Sequence, residues 1–268
     1  MANPISRTAY YTLGVRAADA ATAKPILGDT FAQRFMNEDA HAMWEEFKTF
    51  SRPNASNAAR HAIIDARLRT ALTADPQATI VIIGAGFDTR AFRLRGGQWF
   101  EFDEPEILTY KETRLPSATA TNPLRRVAID FGREALADKL AVVTSPSGVH
   151  IVVEGVLMYL SREQRVSLLR TLAERFPHHT LYCDLMRKRF FETYSRAIHE
   201  RIVGLGTTFT AMEDDPERLF MEQGYELVEQ VSVALHAANH GNLGIPAFAV
   251  RYFMTTLRDG YRIVVFRR

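Results

Sequence analysis

A single cysteine, Cys183, stands in a chain of 268 residues. One thiol excludes an internal disulfide and a cysteine-built zinc site, and it predicts a reducing compartment, the cytoplasm. An excess of one charge is also lacking. Lys and Arg number 33 against 31 Asp and Glu, with no long basic run, so nucleic acid is not predicted as a partner. No apolar run approaches membrane-spanning length, and Met1-Ala2-Asn3-Pro4 lacks the basic-then-apolar order of a secretory signal, so no membrane partner is predicted. Internal repeats and low-complexity tracts are missing. No Ser/His/Asp or metal-ligand spacing is found, and no metal is predicted.

What remains is an ordinary globular composition, 47% hydrophobic and 24% charged, long enough to bury a substantial core. Residues 1–75 carry helical patterns and no clear strand: an alanine-rich stretch at 17–23, an amphipathic one with an aromatic stripe at 30–50, a break at 51–54, and helical spacing over 58–72. From 76 onward strands and helices alternate. Strands are predicted at 79–84, 99–103, 125–130, 150–154, 180–184, 225–233 and 261–267. Helices are predicted at 89–93, 106–114, 133–139, 162–175, 187–203 and 245–257, with a further helix start at 214–217. This order predicts an α/β fold: a doubly wound, Rossmann-like sheet, mostly parallel with an antiparallel edge, under a helical cap (1–75) that belongs to the same domain as the core (76–268).

The most informative run is Thr79-Ile80-Val81-Ile82-Ile83-Gly84-Ala85-Gly86-Phe87-Asp88-Thr89-Arg90, followed by Phe100-Glu101-Phe102-Asp103. A buried strand enters a glycine turn, and the next strand ends in a carboxylate. Glycines let the backbone approach a ligand, and the acid can accept both hydroxyls of a ribose. A dinucleotide fingerprint needs a third glycine, so that a helix N-terminus can meet a pyrophosphate. Thr89 stands at that position and Asp88 where the phosphate would go. The pattern therefore argues against NAD and for an adenosine ligand without phosphates, of which S-adenosylmethionine (SAM) is the obvious one. The strand ends also present Asp130-Phe131 and Glu154-Gly155. Each acid alone reads as a helix cap or turn residue. Together they suit a ligand with ribose hydroxyls, an adenine amino group and an α-ammonium.

The set ARHAIIDARL, IVIIGAGFDTRAFRL, WFEFDEPEILTYK, RRVAIDF and VVEGVLMYL resembles the leucine carboxyl methyltransferase family, including bacterial O-methyltransferases similar to the tetracenomycin polyketide enzyme. The resemblance implies a class I SAM-dependent methyltransferase fold and roles for matched positions. Arg60 would grip the SAM carboxylate. Gly84, Ala85 and Gly86 would pass under the methionine part, and Asp103 with Glu104 would hold the ribose. Asp130 and Phe131 would flank adenine, and Glu154 with Gly155 would face the α-ammonium. Two departures stand out: Phe131 replaces the usual leucine, and the chain lacks the long insertions of protein-modifying members.

For the acceptor side, Tyr159 is the candidate catalytic residue, as a hydrogen-bond donor to the acceptor. Tyr10, Tyr11 and Arg16 in the cap, and His240 in the turn Asn239-His240-Gly241-Asn242, are the candidate substrate contacts. His199 and His236 are placed near the pocket, and His178 and His179 in a surface loop. A carboxylate acceptor needs no general base, whereas a phenol would want one. The expected activity is SAM-dependent O-methylation of a carboxylate or hydroxyl on a small-molecule acceptor, such as a polyketide or other secondary metabolite. A protein C-terminal carboxyl methyltransferase and a non-catalytic SAM-binding protein are the alternatives.

Overall fold

The computed structural model describes residues 4–144, 146 and 148–268. Three helices precede the first strand: α1 (Pro4–Ala20), α2 (Glu38–Phe47) and α3 (Ser51–Ala74). The predicted break at 51–54 falls in the first turn of α3. Pro53 is tolerated there because the first-turn N–H groups have no intrahelical partner. The boundary itself lies at Thr49 and Phe50.

The core follows as β1 (Thr79–Ile83), α4 (Arg90–Arg93), β2 (Gln98–Asp103), α5 (Pro105–Arg114), β3 (Leu124–Ala128), α6 (Leu136–Leu140), β4 (Val149–Val153), α7 (Arg162–Arg175) and β5 (His179–Met186). Next come α8 (Lys188–Phe190) and α9 (Arg196–Gly204), joined by a π-helical turn at Phe191–Ser195, then α10 (Arg218–Glu222) and β6 (Glu226–Ser232). Three short helices, α11 (Val233–Asn239), α12 (Ala247–Tyr252) and α13 (Thr255–Gly260), lead into β7 (Tyr261–Arg267).

The strands form one sheet in the order β3-β2-β1-β4-β5-β7-β6. β1 to β5 pair in parallel, and β7 lies antiparallel between β5 and β6. This is the class I SAM-dependent methyltransferase fold. Side chains of β1 alternate between two cores. Ile80 and Ile82 pack with α3, α4 and α11, and Val81 and Ile83 pack with α6 and α7. Burial on both faces is why the strand reads as an unbroken apolar run. Strand order reverses between β1 and β4, so the crevice at their carboxyl ends is where a ligand is expected.

Three details differ from the sequence expectation. The segment 245–257 is two helices, because the chain turns at Phe253 and Met254, and α11 was not foreseen. His179 is not in a surface loop: it opens β5, buried, with Nδ1 2.6 Å from the Phe176 carbonyl.

Candidate functional site

At the end of β1 the chain needs a backbone that side chains rarely allow. Gly84 and Gly86 have φ of 69° and 47°. A Cβ on Gly84 would lie 2.5 Å from Val156 Cγ2, so a side chain there would collide with the turn after β4. The turn holds the acid of the next strand. Gly86 N donates to Asp103 Oδ2 at 2.5 Å and Glu104 N to Oδ1 at 2.7 Å. Burial pushes the Asp103 carboxyl up to about 6, against the pull of those two N–H groups.

Helical spacing on α3 aligns His61 with Asp65, one turn apart, toward α4. Arg90, fully buried on α4, joins them. Its Nε donates to Asp65 Oδ1 at 2.6 Å, its Nη1 pairs with Asp88, and its Nη2 donates to Glu154 Oε2 at 2.7 Å. Glu154 Oε1 accepts from Arg60 Nε at 2.8 Å and lies 3.0 Å from His61 Nδ1. Arg60 Nη1 reaches the Tyr261 hydroxyl at 3.0 Å and Asp184 Oδ2 at 3.3 Å. Burial disfavours the Glu154 charge, yet His61, Arg90 and Arg60 hold its carboxyl well below the usual range. For His61 burial dominates and holds the imidazole below its ordinary value. The Asp88 carboxylate is thus the partner of Arg90 and also accepts from Arg90 N at 2.7 Å.

These elements enclose a cavity of about 460 Å³, within the usual range of small-molecule sites. Of the residues singled out in the sequence, Arg16, Arg60, Gly84, Ala85, Gly86, Asp103, Glu104, Phe131, Glu154 and Gly155 line it. Others lie outside the lining. Asp130 follows β3 but turns its Oδ1 to Gly132 N, 3.0 Å away. Tyr11 donates to Asn54 Oδ1 at 2.9 Å, and the Tyr10 ring packs on Phe87 at 5.1 Å. Tyr159 packs on Phe209, bonds Thr8, and has a hydroxyl pushed by burial up to about 12. His240 follows α11, with Nδ1 3.0 Å from the His236 carbonyl, and neither it, His199 nor His236 reaches the cavity wall. The Glu154 oxygens foreseen for an α-ammonium are both engaged by protein groups.

Sequence reasoning overlooked His61, Asp65, Arg90, Asp184 and Tyr261. The signal for the first pair was present, as polar residues at helical spacing on a face that also carries Ile64 and Leu68. Among the described residues no group of His, Cys, Asp and Glu is placed to hold a metal ion, and no helix is long and apolar enough to cross a membrane.

A family model described as leucine carboxyl methyltransferase matches residues 9–173. A Gibberella zeae protein named as an S-adenosyl-L-methionine-dependent methyltransferase is 25% identical over 254 residues, covering 88% of this chain and 85% of its own. A Mycobacteroides abscessus protein, named as a candidate for the same activity, is 26% identical over 65% of this chain, which spans 62% of it, less than two thirds. A solved DUF574 family protein from Streptomyces avermitilis shares the fold with a TM-score of 0.58 at 15% identity, covering 96% of each chain. The wall chemistry fits SAM. It offers a carboxylate steadied by backbone donors, a glycine turn with no room for a side chain, and apolar walls at Ile107, Phe131 and Leu136.

Proposed function

Because the chain belongs to the leucine carboxyl methyltransferase family and SAM is its cofactor, we propose that it methylates an oxygen of a small molecule, a carboxylate oxygen. One observation carries this reading. Among the described residues, the histidine that lines the cavity is His61, and it is tied through Nδ1 to Glu154 beside Arg60 and Arg90. Tyr159 lies outside the lining with its hydroxyl pushed up to about 12. His61 keeps one unpartnered nitrogen, Nε2, but burial holds its ring below the ordinary value, which makes it a weak base for a phenol or alcohol, whereas a carboxylate, with a pKa of about 4, arrives ionised and needs none.

Bound SAM supplies an electrophilic methyl group on a sulfonium, and the protein's work is alignment and exclusion of water. Asp103 accepts from the ribose hydroxyls. The Arg60 Nη2, which makes none of the bonds described above, takes the methionine carboxylate, and the Gly84–Gly86 turn passes beneath it. Phe131 and Leu136 flank adenine. Helix α1 covers the cavity with Thr8, Ala9, Thr12 and Arg16, excluding water.

The test is the chemistry of the product. The protein is incubated with methyl-labelled SAM, a panel of carboxylic acids and matched phenols, and a deproteinised metabolite extract. A methyl ester releases labelled methanol in mild alkali, which is the expected result. Label held only in alkali-stable products would overturn the proposal.

A further inference from the structure

His61 lines the cavity, and its Nε2 is buried with no hydrogen-bond partner. Leaving a buried polar atom without a partner is costly, so it marks a place where a ligand atom can complete the bonding. The tautomer follows from the partners of the other nitrogen. Nδ1 lies 3.0 Å from Glu154 Oε1, an acceptor only, and 3.3 Å from Arg90 Nη2, which already donates to Glu154 Oε2 at 2.7 Å. Nδ1 therefore carries the proton and donates it to Glu154, which leaves Nε2 with a bare lone pair.

A bare nitrogen repels a carboxylate and accepts from an N–H. The charges around the ring do not oppose this. Glu154 after β4, Arg90 on α4, Arg16 on α1 and Asp29 in the segment after α1 all act on it. They belong to one buried ion-pair network with the guanidiniums of Arg16, Arg60, Arg90 and Arg93 and the carboxylates of Asp29, Asp65, Asp88, Glu154 and Asp184. With the exposed Arg69, 4.0 Å from Asp65, five cations balance five anions while His61 is neutral, so no net positive charge opposes an ammonium there.

We infer that His61, through Nε2, is the acceptor for the α-ammonium of the cofactor's methionine moiety, the place that Glu154 cannot fill. This rests on SAM as cofactor and not on the identity of the acceptor. Burial keeps the ring neutral, as this role requires. Glu154 acts behind it as a positioning residue that fixes the tautomer.

The test needs binding alone, so its failure is separate from that of O-methylation. Calorimetry compares S-adenosylhomocysteine with its deamino analogue and with 5′-methylthioadenosine, which lacks both amine and carboxylate. His61→Ala should weaken S-adenosylhomocysteine about tenfold or more, and should change the deamino analogue less than about threefold. His61→Gln, which returns an acceptor oxygen, should recover part of the loss. Unchanged 5′-methylthioadenosine binding certifies the fold, and if His61→Ala fails that check the same comparison is read on His61→Gln. Equal losses for both long ligands would overturn the inference in favour of a structural role. Unchanged S-adenosylhomocysteine affinity would overturn it too, and would assign the bare nitrogen to the acceptor as a base.

Discussion

Asp103 carries both a geometric and a chemical instruction. Its oxygens are aimed by Gly86 N and Glu104 N, and its burial raises its carboxyl to about 6. The sign of the resulting pH dependence is fixed. Above about 6 the group is an acceptor-only carboxylate suited to two ribose hydroxyls, and below it the added proton removes one acceptor site. Affinity for SAM should be flat from about pH 7 upward and fall as pH drops through 6, by at most about tenfold per unit. Asp103→Asn should lose affinity, by about 2 kcal/mol, and flatten this dependence. Titrations of wild type and variant across pH 5 to 8 check both parts. A wild-type affinity that is constant down to pH 5 would remove Asp103 from the ribose.

At the scale of elements, the sheet was legible because its central strands β1, β4 and β7 are rich in β-branched residues and buried on both faces, and the glycine turn because an apolar strand precedes it and Asp103 ends the next. The α3 face was not. His61 and Asp65 gain meaning only when α3 is rotated against α4 and β4, and local periodicity cannot specify that rotation. Tyr11 was drawn off the site for a similar reason, since α1 packs it beside Phe47 and within reach of Asn54. Helix α11 escaped because Val233 continues the strand pattern of β6 until Ser232 caps the next turn, accepting from Leu235 N. The network that ties α3, α4 and β4 together gives a stability prediction. Glu154→Ala leaves two buried guanidiniums without their shared partner and should cost about 3–5 kcal/mol in urea unfolding. The Glu154 carboxyl is held well below its ordinary value, so its contribution is complete above the usual carboxylate range and is lost only as pH falls below that range. A change under about 1 kcal/mol at neutral pH would show that the elements are held by apolar packing alone.

Over the whole molecule, α1 and the sheet divide the work. The sheet's carboxyl edge presents Asp103, the glycine turn and the Arg60–Glu154–Arg90 cluster, while α1 closes over them with Thr8, Thr12 and Arg16. Arg16 ties the two parts, pairing with Asp29 at 2.7 Å and donating to the Phe87 carbonyl at 2.8 Å. Such an enclosure suits a displacement in which charges meet without water, and it leaves the outlying histidines no access to the reacting atoms. The pH profile of the chemical step follows. With a carboxylate acceptor the nucleophile is ionised throughout, so the single-turnover rate at saturating SAM should be flat from about pH 7 to 9. Replacing His199, His236 or His240 by alanine should change that rate less than about twofold, since none lines the cavity. An alcohol or phenol would instead give a rate rising about tenfold per unit below its own pKa or that of its base. Rapid-quench measurement with labelled SAM separates the two cases, and a steep rise abolished in one histidine variant would mean that α1 opens to admit a base from outside the wall.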